Sequence, residues 1–321
     1  MKDIVTIGEI LIDLTSTGRE GDIPVYKANP GGAPANVAVA AARLGADTAF
    51  IGKVGDDFYG EFLKKTLENN NVDTSYVLTD KDARTTLAVV SVSEDGERSF
   101  SFYRRNCADT LLSIDEIDTE LLGNTRFLHF GSVSLTDDPS RSATIFAAKK
   151  AKELGAAITY DPNYRANLWN SEAEAVEQMR SVLGMVDILK ISDEELPLLT
   201  GTDDAEKGTR QLFEQYNIPL ILLTLGPDGA YFRRGKETGK AEGFSVKVAD
   251  TNGAGDTFFG AFLSRMVRYG CRFPSELSSE QLYDSVRTAN LAASLTTSRH
   301  GAIPAMPDLA ELESNLKAEV D

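Results

Sequence analysis

The stretch Asp250-Thr251-Asn252-Gly253-Ala254-Gly255-Asp256, running on into Thr257-Phe258-Phe259-Gly260-Ala261-Phe262, decides how the rest of the chain is read. Phe258, Phe262 and Met266 recur at helical spacing, so the pattern predicts a helix that starts near Gly255. The first turn of a helix presents N–H groups without intrahelical partners, and small residues let a ligand approach them. Gly253, Ala254 and Gly255 therefore offer an anion hole. Asp256 stands beside it, where a carboxylate can take the proton of a hydroxyl attacking phosphorus. An acidic residue there also complements the helix dipole. The motif alone leaves both readings open.

Outward from this stretch, the chain alternates short apolar runs with helical patterns. The runs are Ile4–Ile7, Thr48–Ile51, Phe127–Phe130, Ala157–Tyr160, Val186–Leu189 and Leu220–Leu223. They are β-branched or aromatic and mostly unalternated, as strands buried on both faces are. Pro34–Leu44 is Ala-rich, with Pro suited to a first turn and Gly45 to a stop; Thr144–Leu154 and Ala173–Leu183 are similar. The alternation predicts an α/β fold, a mainly parallel sheet with helices on both faces, whose sites form beyond the strands' carboxyl ends. Two stretches break the rhythm. Residues 15–33 are polar and rich in Gly and Pro, with a short extended piece near Val25-Tyr26. Residues 85–103 hold two strand-like runs joined across Asp95-Gly96, a hairpin signal. Both are read as one small accessory sheet inserted into a single domain spanning 1–321, with contributions from about 14–33 and 83–106.

Composition narrows the function. In 321 residues there are 33 Lys and Arg against 49 Asp and Glu, a formal net charge of −16. Such a surface repels nucleic-acid backbones and anionic lipid. Two cysteines and two histidines cannot build a disulfide framework or a multi-His metal centre, and they suit a reducing compartment. The N-terminal apolar run is broken by Asp3, Gly8, Glu9 and Asp13, unlike a signal peptide, and no window approaches the roughly 18 apolar residues of a membrane helix. A cytoplasmic protein is expected. P-loop, dinucleotide and nucleophile-elbow fingerprints are absent from the sequence.

Other candidates are weaker singly. Gly31-Gly32-Ala33-Pro34-Ala35-Asn36 opens a helix with small residues, and Asn36 can hydrogen-bond a polyol or simply cap. Asp161-Pro162-Asn163-Tyr164-Arg165 follows a predicted strand, where α/β sites collect polar groups, though a loop salt bridge explains it equally well. Asp13 closely follows the first strand, and Arg104 ends the predicted hairpin as a ligand contact or as solvated surface. Lys190 to Glu195 follows one further strand and reads as a hold on magnesium-bound phosphates through Glu195 or as an acidic helix start. Thr224 to Gly229 follows another and reads as a base or phosphate contact or as a plain Gly turn.

With GGAPAN at 31–36 and DTNGAGD at 250–256 in this order, the sequence resembles the ribokinase-like (PfkB-type) carbohydrate kinases over roughly residues 3–308. The resemblance implies a three-layer α/β/α fold with a small β-sheet lid. It implies Asp256 as catalytic base, with Gly253, Ala254 and Gly255 as the anion hole. Asp13, Gly31, Gly32 and Asn36 fall on sugar-binding positions. Glu195 acts on magnesium through water, although Ser192 replaces the usual Asn of that element. Thr224, Gly226, Gly229 and Asn290 hold ATP, together with Lys190 and with Asn252, which stands where many members have Thr. Asp250 lies near a monovalent-cation site for an ion such as potassium. Phe102-Tyr103-Arg104 followed by Ala108-Asp109, with the run from Asp161 to Trp169, looks most like the bacterial fructokinase branch, making Arg104, Asn163 and Arg165 sugar contacts. The alternative substrate is 2-keto-3-deoxygluconate, whose carboxylate Arg165 would pair. A catalytically inactive scaffold is disfavoured by the intact Gly253, Gly255 and Asp256. The expected partners are a sugar and ATP, with no nucleic acid or membrane, and a homodimer through the lid, whose Phe100 and Phe102 would otherwise meet water.

Overall fold

The computed structural model describes residues 1–92 and 98–318. The strands are β1 (Lys2–Ile7), β2 (Leu11–Glu20), β3 (Ile23–Gly31), β4 (Thr48–Gly55), β5 (Val72–Asp73), β6 (Val77–Asp80), β7 (Leu87–Val92), β8 (Arg98–Tyr103), β9 (Thr125–Gly131), β10 (Ala157–Asp161), β11 (Ile188–Ser192), β12 (Leu220–Thr224), β13 (Ala230–Arg234) and β14 (Glu237–Ala241). The helices are α1 (Ala33–Arg43), α2 (Phe58–Asn69), α3 (Thr119–Gly123), α4 (Ser140–Glu153), α5 (Glu172–Ser181), α6 (Leu196–Thr200), α7 (Ala205–Tyr216), α8 (Ala254–Arg268), α9 (Ser279–Thr297) and α10 (Leu309–Ala318).

The large sheet runs β14-β13-β12-β11-β10-β9-β1-β4-β5, with β6 also pairing β4. It is parallel from β12 to β5, and β13 and β14 add an antiparallel edge. Strand alternation divides the core between its two faces. Val5, Ile7, Leu128, Phe130, Ile158, Leu189 and Ile221 pack on one side with residues of α3 to α7. Ile4, Phe127, Ala157, Ile188, Leu220 and Leu222 pack on the other with α1, α8, α9 and α10. Both faces are thus covered, as the unalternated apolar runs require. Five of the six runs sit within strands as expected; the fifth is offset, because β11 starts at Ile188. Asp187 instead turns its carboxylate onto the Ile158 N–H at 2.8 Å and Lys152 Nζ at 3.0 Å, sealing the start of the neighbouring strand.

The two irregular stretches form a separate four-stranded sheet, β3-β2-β7-β8. Its first half is far longer than the short piece expected near Val25: β2 and β3 pair antiparallel from Leu11↔Gly31 to Glu20↔Ile23. β2 then pairs parallel with β7, and β7 antiparallel with β8. The Asp95-Gly96 turn lies outside the described residues, as does the side chain of Phe100. No helix among the described residues is long and apolar enough to cross a membrane.

Candidate functional site

The site lies beyond the carboxyl ends of β1, β10, β11 and β12, where helices α1 and α8 begin. Helix α1 starts after Gly32, whose φ of 110° suits glycine, and a Cβ there would meet the Glu9 carbonyl at 2.5 Å. Gly32 supplies no side-chain cap; Glu9, 24 residues earlier in sequence, accepts the Ala33 N–H at 3.0 Å. Asn36, one turn in and buried, then donates Nδ2–H to Asp256 Oδ2 at 2.8 Å. Its Oδ1 is buried without a protein partner. Two Gly-rich helix starts far apart in sequence thus meet through one hydrogen bond.

Helix α8 begins at Ala254 behind Gly253, which is left-handed at φ 74°. The Ala254 N–H turns back to the Thr251 carbonyl at 3.4 Å. Those of Gly253, Gly255 and Asp256 have no acceptor among the described residues. Asp256 is the third residue of the helix, buried, with Asn163 Nδ2 3.5 Å from its other oxygen. Burial pushes the Asp256 carboxyl above the usual carboxylate range, only partly offset by the Asn36 bond and by the charges of Lys190 and Arg165.

Around these groups stands an acidic cluster with one buried cation. Lys190 Nζ pairs with Asp161 Oδ2 at 2.9 Å, both buried, and also faces Glu195 and Asp256, so the ammonium stays charged. A Cβ on Gly255 would come within 2.9 Å of that nitrogen, so the glycine brings the helix start onto the lysine. Glu195 accepts from Tyr164 N at 2.8 Å, Ser192 N at 2.9 Å and Ser192 Oγ at 3.0 Å. Asn163, at φ 46°, folds back so that its N–H reaches Asp161 Oδ1 at 3.2 Å. Glu9 is missed as a functional candidate by the sequence, and Asp161 appears there only within its run, without a role of its own. The Asp161–Lys190 pair joins neighbouring strands β10 and β11 and is therefore not a salt bridge within the loop.

On the small sheet, Asn29, Asp13, Ala88 and Phe102 form one cross-strand row, so they share a face. Asp13 on this face accepts a hydrogen bond from the Asn252 side chain and feels the charges of Arg165, Asp256 and Asp250. Burial lifts its carboxyl to about 6. A Cβ on Gly31 would meet Asp13 Oδ2 at 2.3 Å, so only glycine leaves this carboxylate its place. Asn252, expected with the nucleotide residues, therefore sits against Asp13. Arg165 is exposed at the rim. Arg104 is buried rather than solvated, and three of its N–H groups go to Asp109 Oδ2 (2.6 Å), Thr136 Oγ1 (2.6 Å) and the Val133 carbonyl (3.1 Å).

The residues expected to hold a nucleotide converge on the next strand ends. Thr224 closes β12, and the turn from Gly226 returns through Gly229, at φ 88°. A Cβ on Gly229 would lie 2.2 Å from the Ala241 carbonyl, and Asn290 of α9 donates to the carbonyls of Ala241 (2.9 Å) and Glu242 (3.1 Å). Turn, strand end and helix are thereby locked as one shelf. Asp250 ties its own loop to the 301 turn, accepting from Asn252 N and Gly301 N at 3.0 Å each. An open depression of about 690 Å³ adjoins it, lined by 246–249 and 298–300.

Comparison with known proteins agrees with this layout. Residues 1–309 match the model of the pfkB family carbohydrate kinases. The chain is 42% identical over 313 residues to Fructokinase-1 of Zea mays, covering 96% of each. Among solved structures it is similar to fructokinase from Xylella fastidiosa with bound ATP, with TM-score 0.92 and 31% identity over the whole of both chains. It is also similar to a double-mutant fructokinase from Vibrio cholerae O395 in its fructose, ADP and potassium ion bound form, with TM-score 0.87, 36% identity and 98% of each chain covered. Its three layers are the ribokinase-like fold, and with the family's pattern matched almost from end to end, this chain belongs to the pfkB family of carbohydrate kinases.

Proposed function

We propose that the protein is an ATP-dependent fructose kinase, transferring the γ-phosphoryl group of ATP to the sugar's 6-hydroxyl. One observation carries the mechanism: a buried carboxylate, Asp256, is held by Asn36 beside open N–H groups at the start of α8. Asp256 takes the hydroxyl proton as the oxygen attacks phosphorus, and its raised affinity for a proton suits that role. The open N–H groups of Gly253 and Gly255 and the Lys190 ammonium meet the charge on the phosphoryl oxygens, whereas the Ala254 N–H, expected with them, is turned to the Thr251 carbonyl. Asp13, Gly31, Gly32, Asn36, Asn163 and Arg165 surround the sugar, and the orphaned Asn36 Oδ1 is a ready acceptor for one of its hydroxyls. A contact from Arg104 to the sugar would use the N–H groups that its three protein bonds leave over.

Thr224, Gly226, Gly229 and Asn290 hold the nucleotide, with Asn252 between the two substrates. Magnesium, arriving with ATP, neutralises phosphate charge. Glu195, with three donors already on it, suits a magnesium-bound water better than the ion itself. Asp250 belongs beside a potassium-type cation, and a similar fructokinase is known in a potassium ion bound form. The small sheet serves as a lid that excludes water from the transfer. Tyr26 and Tyr103, on the sheet face opposite Asp13 and 40% and 65% exposed, support a homodimer through this sheet. Two free cysteines among the described residues and the need for ATP support work in the cytoplasm.

Replacing Asp256 by Asn tests the base. Turnover should fall about 100- to 10,000-fold with folding intact. Near-full turnover in a folded Asp256→Asn enzyme would remove Asp256 from that role.

A further inference from the structure

All four strands of the small sheet enter or leave the body of the protein beside buried charged residues, β2 and β3 at Glu9 and β7 and β8 at the Arg104–Asp109 pair. β2 starts two residues after Glu9, and β3 ends two residues before Ala33, the residue whose N–H Glu9 accepts at 3.0 Å. β7 starts directly after Thr86, which donates Oγ1–H to Asp109 Oδ1 at 2.5 Å. β8 ends directly before Arg104, whose Nε donates to Asp109 Oδ2 at 2.6 Å. Arg104 in turn grips the body through Thr136 and Val133, and its charge is felt by Glu9. Glu9, Thr86, Arg104 and Asp109 are each at most 5% exposed. Two carboxylates and a guanidinium this deep in protein are costly to desolvate, and apolar residues would hold strand ends together at least as well. A charged cluster differs from an apolar one in being directional: it fixes each strand root by a specific bond.

We propose that Glu9 and Asp109 are positioning residues for the sugar, clamping the roots of the small sheet so that Asp13 on β2 and Asn36 on α1 stay in register with Asp256. Glu9 acts through the Ala33 N–H, at the start of the helix that carries Asn36. Asp109 acts through Thr86 and Arg104. Neither residue touches substrate, and the inference rests on the sugar-kinase reading given above.

The test compares Glu9→Ala, Glu9→Gln and Asp109→Asn with the parent, using magnesium-ATP and fructose. In Glu9→Ala and Asp109→Asn, KM for fructose should rise about 10- to 100-fold, as misplaced positioning contacts cost, while KM for ATP stays within about twofold. ADP released per fructose phosphorylated should also rise above one. Glu9→Gln keeps the acceptor for Ala33 and should hold the parental fructose KM within about threefold. A purely structural role would lower the melting temperature and leave KM and coupling alone, and that result in folded variants overturns the clamp. Should neither variant fold, Thr86→Val decides, since it removes one bond to Asp109 at nearly constant shape. A fructose KM raised about threefold supports the clamp, and an unchanged one overturns it. A parent that does not phosphorylate fructose overturns the functional reading and the clamp with it, whereas parental turnover beside unaltered variants defeats the clamp alone.

Discussion

Asp13 shows what the site costs at the scale of one residue. Burial lifts its carboxyl to about 6, against an ordinary value of 3.8, so at neutral pH the folded protein carries a charge that the unfolded chain would hydrate more cheaply. The folded state holds its proton more tightly than the unfolded one, so this group's contribution to stability declines as pH rises from about 4 to 6 and stays unfavourable above that. Asp13→Asn should therefore raise the melting temperature at pH 7 by about 2–6 °C while impairing sugar binding, and the gain should shrink as pH is lowered from 6 towards 4. Thermal melts across that range check it; a variant less stable at pH 7 would contradict it. Glu9, lifted to about 7, and Asp161, raised despite its bond to Lys190, both have burial as the largest cause and belong to the same class. Legibility in the sequence differs sharply among these groups. Asp256 and Asn36 are marked by neighbouring glycines and by their place in a helix's first turn. Glu9 carries no such mark, because its partner Ala33 lies 24 residues away at no characteristic spacing, whereas Asp109, five residues after its partner Arg104, is marked only by its likeness to fructokinases.

At the scale of elements, the apolar runs are readable because a parallel strand buried on both faces has few other sequences available to it. The β13–β14 hairpin is not, since Arg233 to Gly243 (RRGKETGKAEG) has the composition of a loop and sits at the sheet edge, where one side meets water. The long β2–β3 arm is masked in the same way by Gly, Pro and charged residues. Helix α8 was readable from its periodicity, but its pairing with α1 was not. Gly260 sits at that crossing, where a Cβ would lie 2.7 Å from Ala40 Cβ and 2.9 Å from the Val37 carbonyl. Gly260→Ala should force the helices apart, costing about 1–3 kcal/mol of stability. Because those helices carry Asn36 and Asp256, turnover should fall as well. Urea unfolding with parallel kinetics measures both, and a variant of parental stability would show that the crossing is not tight.

At the scale of the whole molecule, the small sheet turns one face to the site and shows Tyr26 and Tyr103 on the other. Light scattering at micromolar concentration should give twice the 34.8 kDa chain mass, and Tyr26→Glu with Tyr103→Glu should halve it. A monomeric parent would rule out the homodimer. Within a chain of net charge −16, Lys190 and Arg165 set their positive charges against Asp256. The most direct measurement is ADP release by the intact enzyme with magnesium-ATP and either fructose or 2-keto-3-deoxygluconate, compared as kcat/KM. The account predicts a clear preference for fructose, by at least about tenfold. A preference for the keto acid would leave Asp256 as the base but turn Arg165 towards a carboxylate, and it would contradict fructose as the substrate.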